Sequence, residues 1–239
     1  MNTRARELLS VAARWRAVEP DPLHRVLLDR AVERADPDEL EELFGRELAF
    51  GTAGLRAPMG PGPNRMNAVV VARAATGFGR FLLAGCDDTP LVVVGHDARH
   101  HSAEFARVAV RRLTALGVRV EQFHTAVPTP LVAFALRAHG AHGALVVTAS
   151  HNPATDNGLK VYGPDGAQIT SPTDREIAER IRQAPLDVDH HEPDATTSGR
   201  VASPVVLGGP AGDRSPVPEY LAAATAVTVD RRWAPLRVA

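Results

Sequence analysis

Two short runs, Leu91-Val92-Val93-Val94-Gly95 and Ala144-Leu145-Val146-Val147-Thr148, are apolar almost throughout. A strand with one wet face alternates polar and apolar residues, so an unbroken run predicts a strand covered on both faces. The surrounding text has helical period. Residues Ala68 to Ala84, Ala103 to Leu116 and Leu131 to His139 read as helices, and Val118 to Phe123 as a further strand. Strands alternating with crossover helices predict an α/β fold: a three-layer α/β/α domain with a mainly parallel sheet.

Three helices precede that domain. Arg4 to Val18 carries Leu8, Leu9, Ala12 and Trp15 at helical spacing. Asp21-Pro22 and Asp36-Pro37 each place a capping carboxylate before a proline, which opens a helix to Arg34 and another holding Leu40, Leu43 and Phe44. Residues 1–48 are therefore expected to form a helical N-terminal extension, and 49–186 the α/β/α domain. Within the latter, Leu159 to Tyr162 reads as a strand that turns at Gly163–Gly166 and returns through Ala167–Ile169. Ser171-Pro172-Thr173 is expected to cap a helix running to about Gln183. Residues 187–216 read as a linker. A helix from about Val217 to Thr225 then opens a second domain over 217–239, which breaks off at Leu236–Ala239 as a strand begins, as in a truncated product.

Bulk chemistry narrows the class. A net charge of −1 argues against a dedicated nucleic-acid binder. Cys86 is the single cysteine, so no internal disulfide forms and a reducing compartment fits. Met1 to Glu19 lacks an apolar core of the signal-peptide kind, and nothing approaches ~18 consecutive apolar residues. A soluble cytoplasmic protein that needs neither membrane nor nucleic acid is the expectation.

Of the 27 basic side chains other than histidine, only Lys160 is a lysine; the rest are arginines. Arginine keeps its proton in proteins, whereas lysine can be tuned to release it. Lys160 follows Thr148-Ala149-Ser150-His151-Asn152-Pro153, a loop leaving the carboxyl end of the second apolar strand, where functional loops of such sheets gather. Asn152-Pro153 fixes a turn there. Ser150 with His151 and Lys160 nearby makes sense if the hydroxyl carries a phosphate.

Thr148 to Pro153 with Asn157-Gly158-Leu159-Lys160 closely resembles the active-site loop of the α-D-phosphohexomutases, the phosphoglucomutase/phosphomannomutase family. Three more segments fit in order: Phe50-Gly51-Thr52-Ala53-Gly54-Leu55-Arg56, Gly95-His96-Asp97-Ala98-Arg99 with Ser102, and Val127-Pro128-Thr129-Pro130. Met59-Gly60-Pro61-Gly62, followed by Arg65-Met66-Asn67, resembles the branch of pentose- and hexose-phosphate mutases with helical N-terminal extensions.

The resemblance implies an intramolecular phosphotransferase that interconverts sugar 1- and 6-phosphates, or pentose 1- and 5-phosphates. Ser150 matches the phosphoserine, which also ligates Mg²⁺ through its phosphate. Lys160 and His151 match the general acid/base and its orienting partner, and Arg56 the arginine supporting the transferring group. A sugar phosphate would be the small-molecule partner and a sugar bisphosphate the activator. Asp97 and Arg99 read as an ion pair bracing the loop, and Asn152 as a supporting residue.

Three stations of the family pattern are missing: an Asp-Gly-Asp-x-Asp-Arg metal loop, a Glu-x-Ser-Gly sugar loop and an Arg-x-Ser-Gly-Thr phosphate loop. Gly212-Asp213-Arg214 reads as a turn, and Asp187-Val188-Asp189-His190-His191-Glu192 as a solvated charge run. Mg²⁺ binding is therefore expected to be weak or absent here, and turnover by this chain alone doubtful. The alternative is a non-catalytic phosphosugar-binding or interaction remnant. A serine hydrolase using Ser150, His151 and Asp156 fits poorly, because adjacent Ser and His rarely face each other and no G-x-S-x-G elbow is present.

Overall fold

The computed structural model describes residues 3–186, 203–208 and 214–227. Three helices come first: α1 (Thr3–Val18), α2 (Pro22–Arg34) and α3 (Pro37–Phe44). The Asp21 and Asp36 carboxylates each accept from two backbone N–H groups of the turn they open, satisfying donors that the helix itself leaves free. Leu8, Ala12 and Trp15 of α1, Leu28 of α2, and Leu40 and Phe44 of α3 are buried in the same apolar core as the sheet. The N-terminal helices are thus packed onto the α/β unit.

Six strands form one sheet in the order β1-β5-β4-β2-β3-β6: β1 (Leu55–Pro58), β2 (Leu91–His96), β3 (Arg119–Phe123), β4 (Gly143–Val147), β5 (Asp156–Tyr162) and β6 (Val205–Leu207). The pairs β4–β2, β2–β3 and β3–β6 are parallel. Strand β5 runs antiparallel to both β4 and β1. Helices α4 (Ala68–Gly85), α5 (Ser102–Ala115) and α7 (Thr173–Arg182) cover one face, and α6 (Thr129–Ala138) lies on the other.

The pleat explains the unbroken apolar runs. Val92, Val94, Leu145 and Val147 enter the α4–α5 core, while Leu91, Val93, Ala144 and Val146 enter the α6 core. Each strand residue has an apolar destination, so neither run alternates. Helix α8 (Val217–Val227) meets α6 through an edge-to-face contact of Tyr220 with Phe134, ring centroids 5.5 Å apart.

The structure departs from the sequence expectations at several points. Leu55–Pro58, read only as part of a motif, is edge strand β1. Val205–Leu207 falls inside the expected linker yet extends the sheet beside β3. Three residues suffice there because the neighbouring strand supplies the template. The return limb Ala167–Ile169 is no strand: it makes a single bridge, Tyr162 to Gln168, because the chain turns away into α7. Pro172 occupies the α7 N-cap, and no side chain caps that end; the Ser171 hydroxyl donates to Asp174 instead. Helix α4 is long and apolar enough to cross a membrane by length and composition, with mean hydropathy 1.3, but 72% of it is buried inside the domain. Asp187–Glu192, Gly212-Asp213 and Leu236–Ala239 lie outside the described residues.

Candidate active site

Strand β4 ends at Val147 and releases the chain at the carboxyl edge of the parallel strands, between β2 and β5. Thr148 stays tied to β5 through its N–H on the Gly158 carbonyl (3.0 Å). Its buried hydroxyl accepts from the Ser150 N–H at 2.9 Å. Ser150 itself has φ 56°, in the left-handed region that a side chain other than glycine's occupies at a cost. The turn closes with the Asn152 N–H on the Ala149 carbonyl (3.1 Å). Backbone strain held by surrounding contacts is a recurrent property of functional sites.

Arg99 supplies those contacts. Its guanidinium donates to the carbonyl oxygens of Ser150 (2.9 Å), Asn152 (2.7 Å), Pro153 (2.6 Å) and Asp156 (3.2 Å). One planar fork thereby fixes the whole loop. Asp97 orients it: Oδ2 lies 3.4 Å from Arg99 Nε, while Oδ1 accepts from the Arg99 N–H (3.0 Å) and the Ser102 hydroxyl (2.7 Å). The buried Asn157 amide donates to Ser102 Oγ and the His100 carbonyl. Asn152 donates to Asp156 Oδ2 at 2.9 Å. The Met59 N–H on the Thr155 carbonyl ties in the Pro58–Asn67 turn, which the Asn67 amide holds through the carbonyls of Gly60, Gly62 and Arg65.

Arg56 arrives from β1, 94 residues earlier in the chain, and its Nη2 lies 3.4 Å from Ser150 Oγ. The register places Arg56 opposite Gly158, and Lys160 opposite Val146. Arg56, Gly158 and Lys160 therefore share the α6 face of the sheet. A Cβ on Gly158 would lie 2.4 Å from the Leu55 carbonyl and 3.1 Å from Arg56 Cγ, so only glycine lets β1 approach this closely. Lys160 is half-buried, and burial pushes its pKa below the ordinary lysine value, with the nearby Arg56 charge adding to the effect. No carboxylate pairs with it among the described residues.

Arg56 thus meets Ser150 and its charge reaches Lys160 on the same sheet face, while Asp97, Arg99 and Asn152 hold the loop from beneath. His151 is exposed, and its ring makes no hydrogen bond among the described residues. The Ser150 hydroxyl meets a guanidinium rather than an imidazole, which leaves the hydrolase reading without a base. Thr148 and Asn157 stood in the loop motif but were given no role of their own in the sequence reading; their roles rest on backbone and hydroxyl partners that only the fold brings near. No group of three or more His, Cys, Asp or Glu side chains among the described residues is placed to hold a metal ion. Asp97 and Asp156, the acids nearest the loop, are engaged in bracing it. These side chains do not by themselves fit a Mg²⁺ site.

Residues 47–186 match the family described as phosphoglucomutase/phosphomannomutase, alpha/beta/alpha domain I. A phosphopentomutase from Mus musculus is 38% identical over 179 residues, which cover 72% of this chain and 29% of the mouse protein. A phosphoribomutase from Saccharomyces cerevisiae is 41% identical over 152 residues, 62% of this chain and 24% of the yeast protein. A solved structure of a phosphomannomutase-type protein from Thermus thermophilus superposes with a TM-score of 0.62 at 29% identity, over 76% of this chain and 36% of its own. The chain spans less than a third of the length of these curated relatives. The strained serine, its arginine brace and the matching sequence lead to one conclusion: this chain belongs to the phosphoglucomutase/phosphomannomutase family, and residues 47–186 are its α/β/α domain I.

Proposed function

We propose that Ser150 is the phosphoryl carrier of a phosphosugar mutase, with Arg56 and Lys160 as its working neighbours. The observation that carries this reading is the convergence of Arg56 on Ser150 Oγ, with the half-buried Lys160 on the same sheet face. Phosphoryl transfer is largely positioning and charge neutralisation, and a guanidinium suits the equatorial oxygens of a moving phosphoryl. In the forward half-reaction the phosphorus–Oγ bond of phosphoserine breaks as a bond forms to a sugar hydroxyl oxygen. The hydroxyl proton passes to neutral Lys160, whose lowered pKa enlarges the neutral fraction, and the departing Ser150 oxygen takes up a proton from solvent. The bisphosphate then returns its other phosphoryl group to Ser150, and the same proton path runs backwards. His151 is free to swing toward the transferring group.

The sugar is a pentose or hexose monophosphate, by the names of the relatives. Mg²⁺ would neutralise charge at the serine phosphate, but the described residues supply no ligand set for it, and full turnover by residues 1–239 alone is not expected. A second reading, phosphosugar binding without turnover, is favoured by the engagement of Asp97 and Asp156 in loop bracing. Incubating the purified chain with glucose 1,6-bisphosphate or ribose 1,5-bisphosphate separates the two. A phosphoryl group mapped to Ser150 by mass spectrometry supports the carrier role; an unmodified Ser150 under both, with sugar phosphate still bound, leaves the binding reading.

A further inference from the structure

The turn that ends β5 reaches back to the other side of the site. Gln168 is fixed by its bridge to Tyr162 and by the Ile169 N–H on the Val161 carbonyl (3.1 Å). From there its side-chain amide donates to the Thr52 carbonyl at 2.6 Å, across 116 residues of sequence. Thr52 is the tip of a closed turn in which Gly51 and Gly54 exchange backbone hydrogen bonds. At the other end of that turn, Gly54 has φ +76° and lies so close to β5 that a Cβ would come within 1.9 Å of the Leu159 carbonyl and 3.1 Å of Lys160 Cα. The next two residues are Leu55 and Arg56, the start of an edge strand only four residues long whose one sheet neighbour is β5.

We propose that Gln168 is a positioning residue of this site: its grip on the Thr52 carbonyl presses the 51–56 segment onto β5, fixing Arg56 beside Ser150 and covering Lys160. The role rests on the phosphoryl-transfer reading above, yet it has its own physical signature. A short edge strand frays readily, because half of its backbone groups have no strand to pair with. Released from Thr52, the segment would let water reach Lys160 and let Arg56 drift from it. Both changes act in one direction, raising the Lys160 pKa toward that of a free lysine. Arg56 is the charged group that reaches Lys160, and Tyr162, two residues on, is the titratable group sharing its strand face.

The single lysine makes the test clean, because lysine labelled with ¹³C at Cε gives one resonance from the whole chain. Its pH titration in the parent chain should have a midpoint below about 10.4. In Gln168→Met, which keeps the shape and removes the donor, and in Gln168→Ala, the midpoint should rise by about half a unit or more. Amide exchange at Gly54 should quicken in both. Thr52→Ala, which keeps the carbonyl, should leave the titration where it was. A low parent midpoint that neither Gln168 variant moves would overturn the positioning role and leave the phosphoryl-transfer reading standing. A parent midpoint at the free-lysine value would remove the shielded lysine itself, and with it both the positioning role of Gln168 and the proton-accepting role given to Lys160, while the Ser150 carrier role is judged separately by its phosphoryl labelling.

Discussion

Arg99 Nη2 donates to the Ser150 carbonyl at 2.9 Å, so the residue with the site's hydroxyl is held by its backbone, from a strand end 51 residues earlier. The same guanidinium binds three further carbonyls of the loop. Arg99→Lys should therefore behave as a loss: an ammonium has no planar fork with which to span these oxygens. Because each charge-assisted bond contributes on the order of 1.5–3 kcal/mol and the set is not additive, the variant is expected to be destabilised by about 2–3 kcal/mol. Urea unfolding checks that, and phosphoryl labelling of Ser150 from a sugar bisphosphate should fall at least tenfold. Parent-like labelling would show that the loop keeps its shape without the fork.

Gly158→Ala probes the closest backbone approach near the site. The added methyl would meet the Leu55 and Thr148 carbonyls at 2.4 and 2.8 Å, both of them backbone atoms that cannot swing aside. Strain of this kind costs about 1–3 kcal/mol and would push β1 off β5, carrying Arg56 with it. The expected outcome is a lowered unfolding midpoint together with loss of Ser150 labelling. A variant as stable as the parent would mean that β1 has room the register does not indicate.

Much of this was legible in the residues. The apolar runs gave β2 and β4 because burial on both faces leaves a mark that one strand carries alone. Asp21 and Asp36 gave the starts of α2 and α3 for the same reason: a cap is a local event. Strands β1 and β6 were hidden because a short edge strand takes its conformation from the neighbour it pairs with, and so few residues cannot make a period stand out, even in Leu55–Pro58, where buried and exposed positions alternate. The site divided along the same line. Ser150 and Lys160 were readable from their loop, and Arg99 as an ion-paired brace, but not the four carbonyl oxygens its fork grips, which every residue has and no sequence distinguishes.

Lys160 carries a pH prediction whose sign follows from its lowered pKa. A lysine that binds its proton less tightly when folded than when unfolded opposes folding while charged. That penalty is complete below the folded pKa and fades as pH rises toward the unfolded value of about 10.4, so it makes stability climb with pH in this window. Lys160→Met should remove this component of the climb and leave the melting temperature at pH 7 unchanged or higher. Ser150-to-sugar transfer, measured with pre-phosphorylated chain, should rise with pH through the Lys160 midpoint in the parent and be lost in the variant. A melting temperature that falls sharply in Lys160→Met would mean that the ammonium is a structural support.

Ser150 offers the sharpest separation of stability from chemistry. Its φ of 56° costs a non-glycine residue roughly 1 kcal/mol, while glycine takes the same conformation freely. Ser150→Gly forfeits the long 3.4 Å contact with Arg56, and it also gains chain entropy in the unfolded state, which offsets part of the relief. The net expectation is stability equal to the parent or greater by about 0.5 kcal/mol, together with complete loss of phosphoryl labelling. Ser150→Ala keeps the strain and loses the hydroxyl, so it should be no more stable than the parent and equally unlabelled. If Ser150→Gly were instead clearly less stable than Ser150→Ala, the left-handed turn would not be a strained one, and the loop would owe its shape to something other than the Arg99 brace.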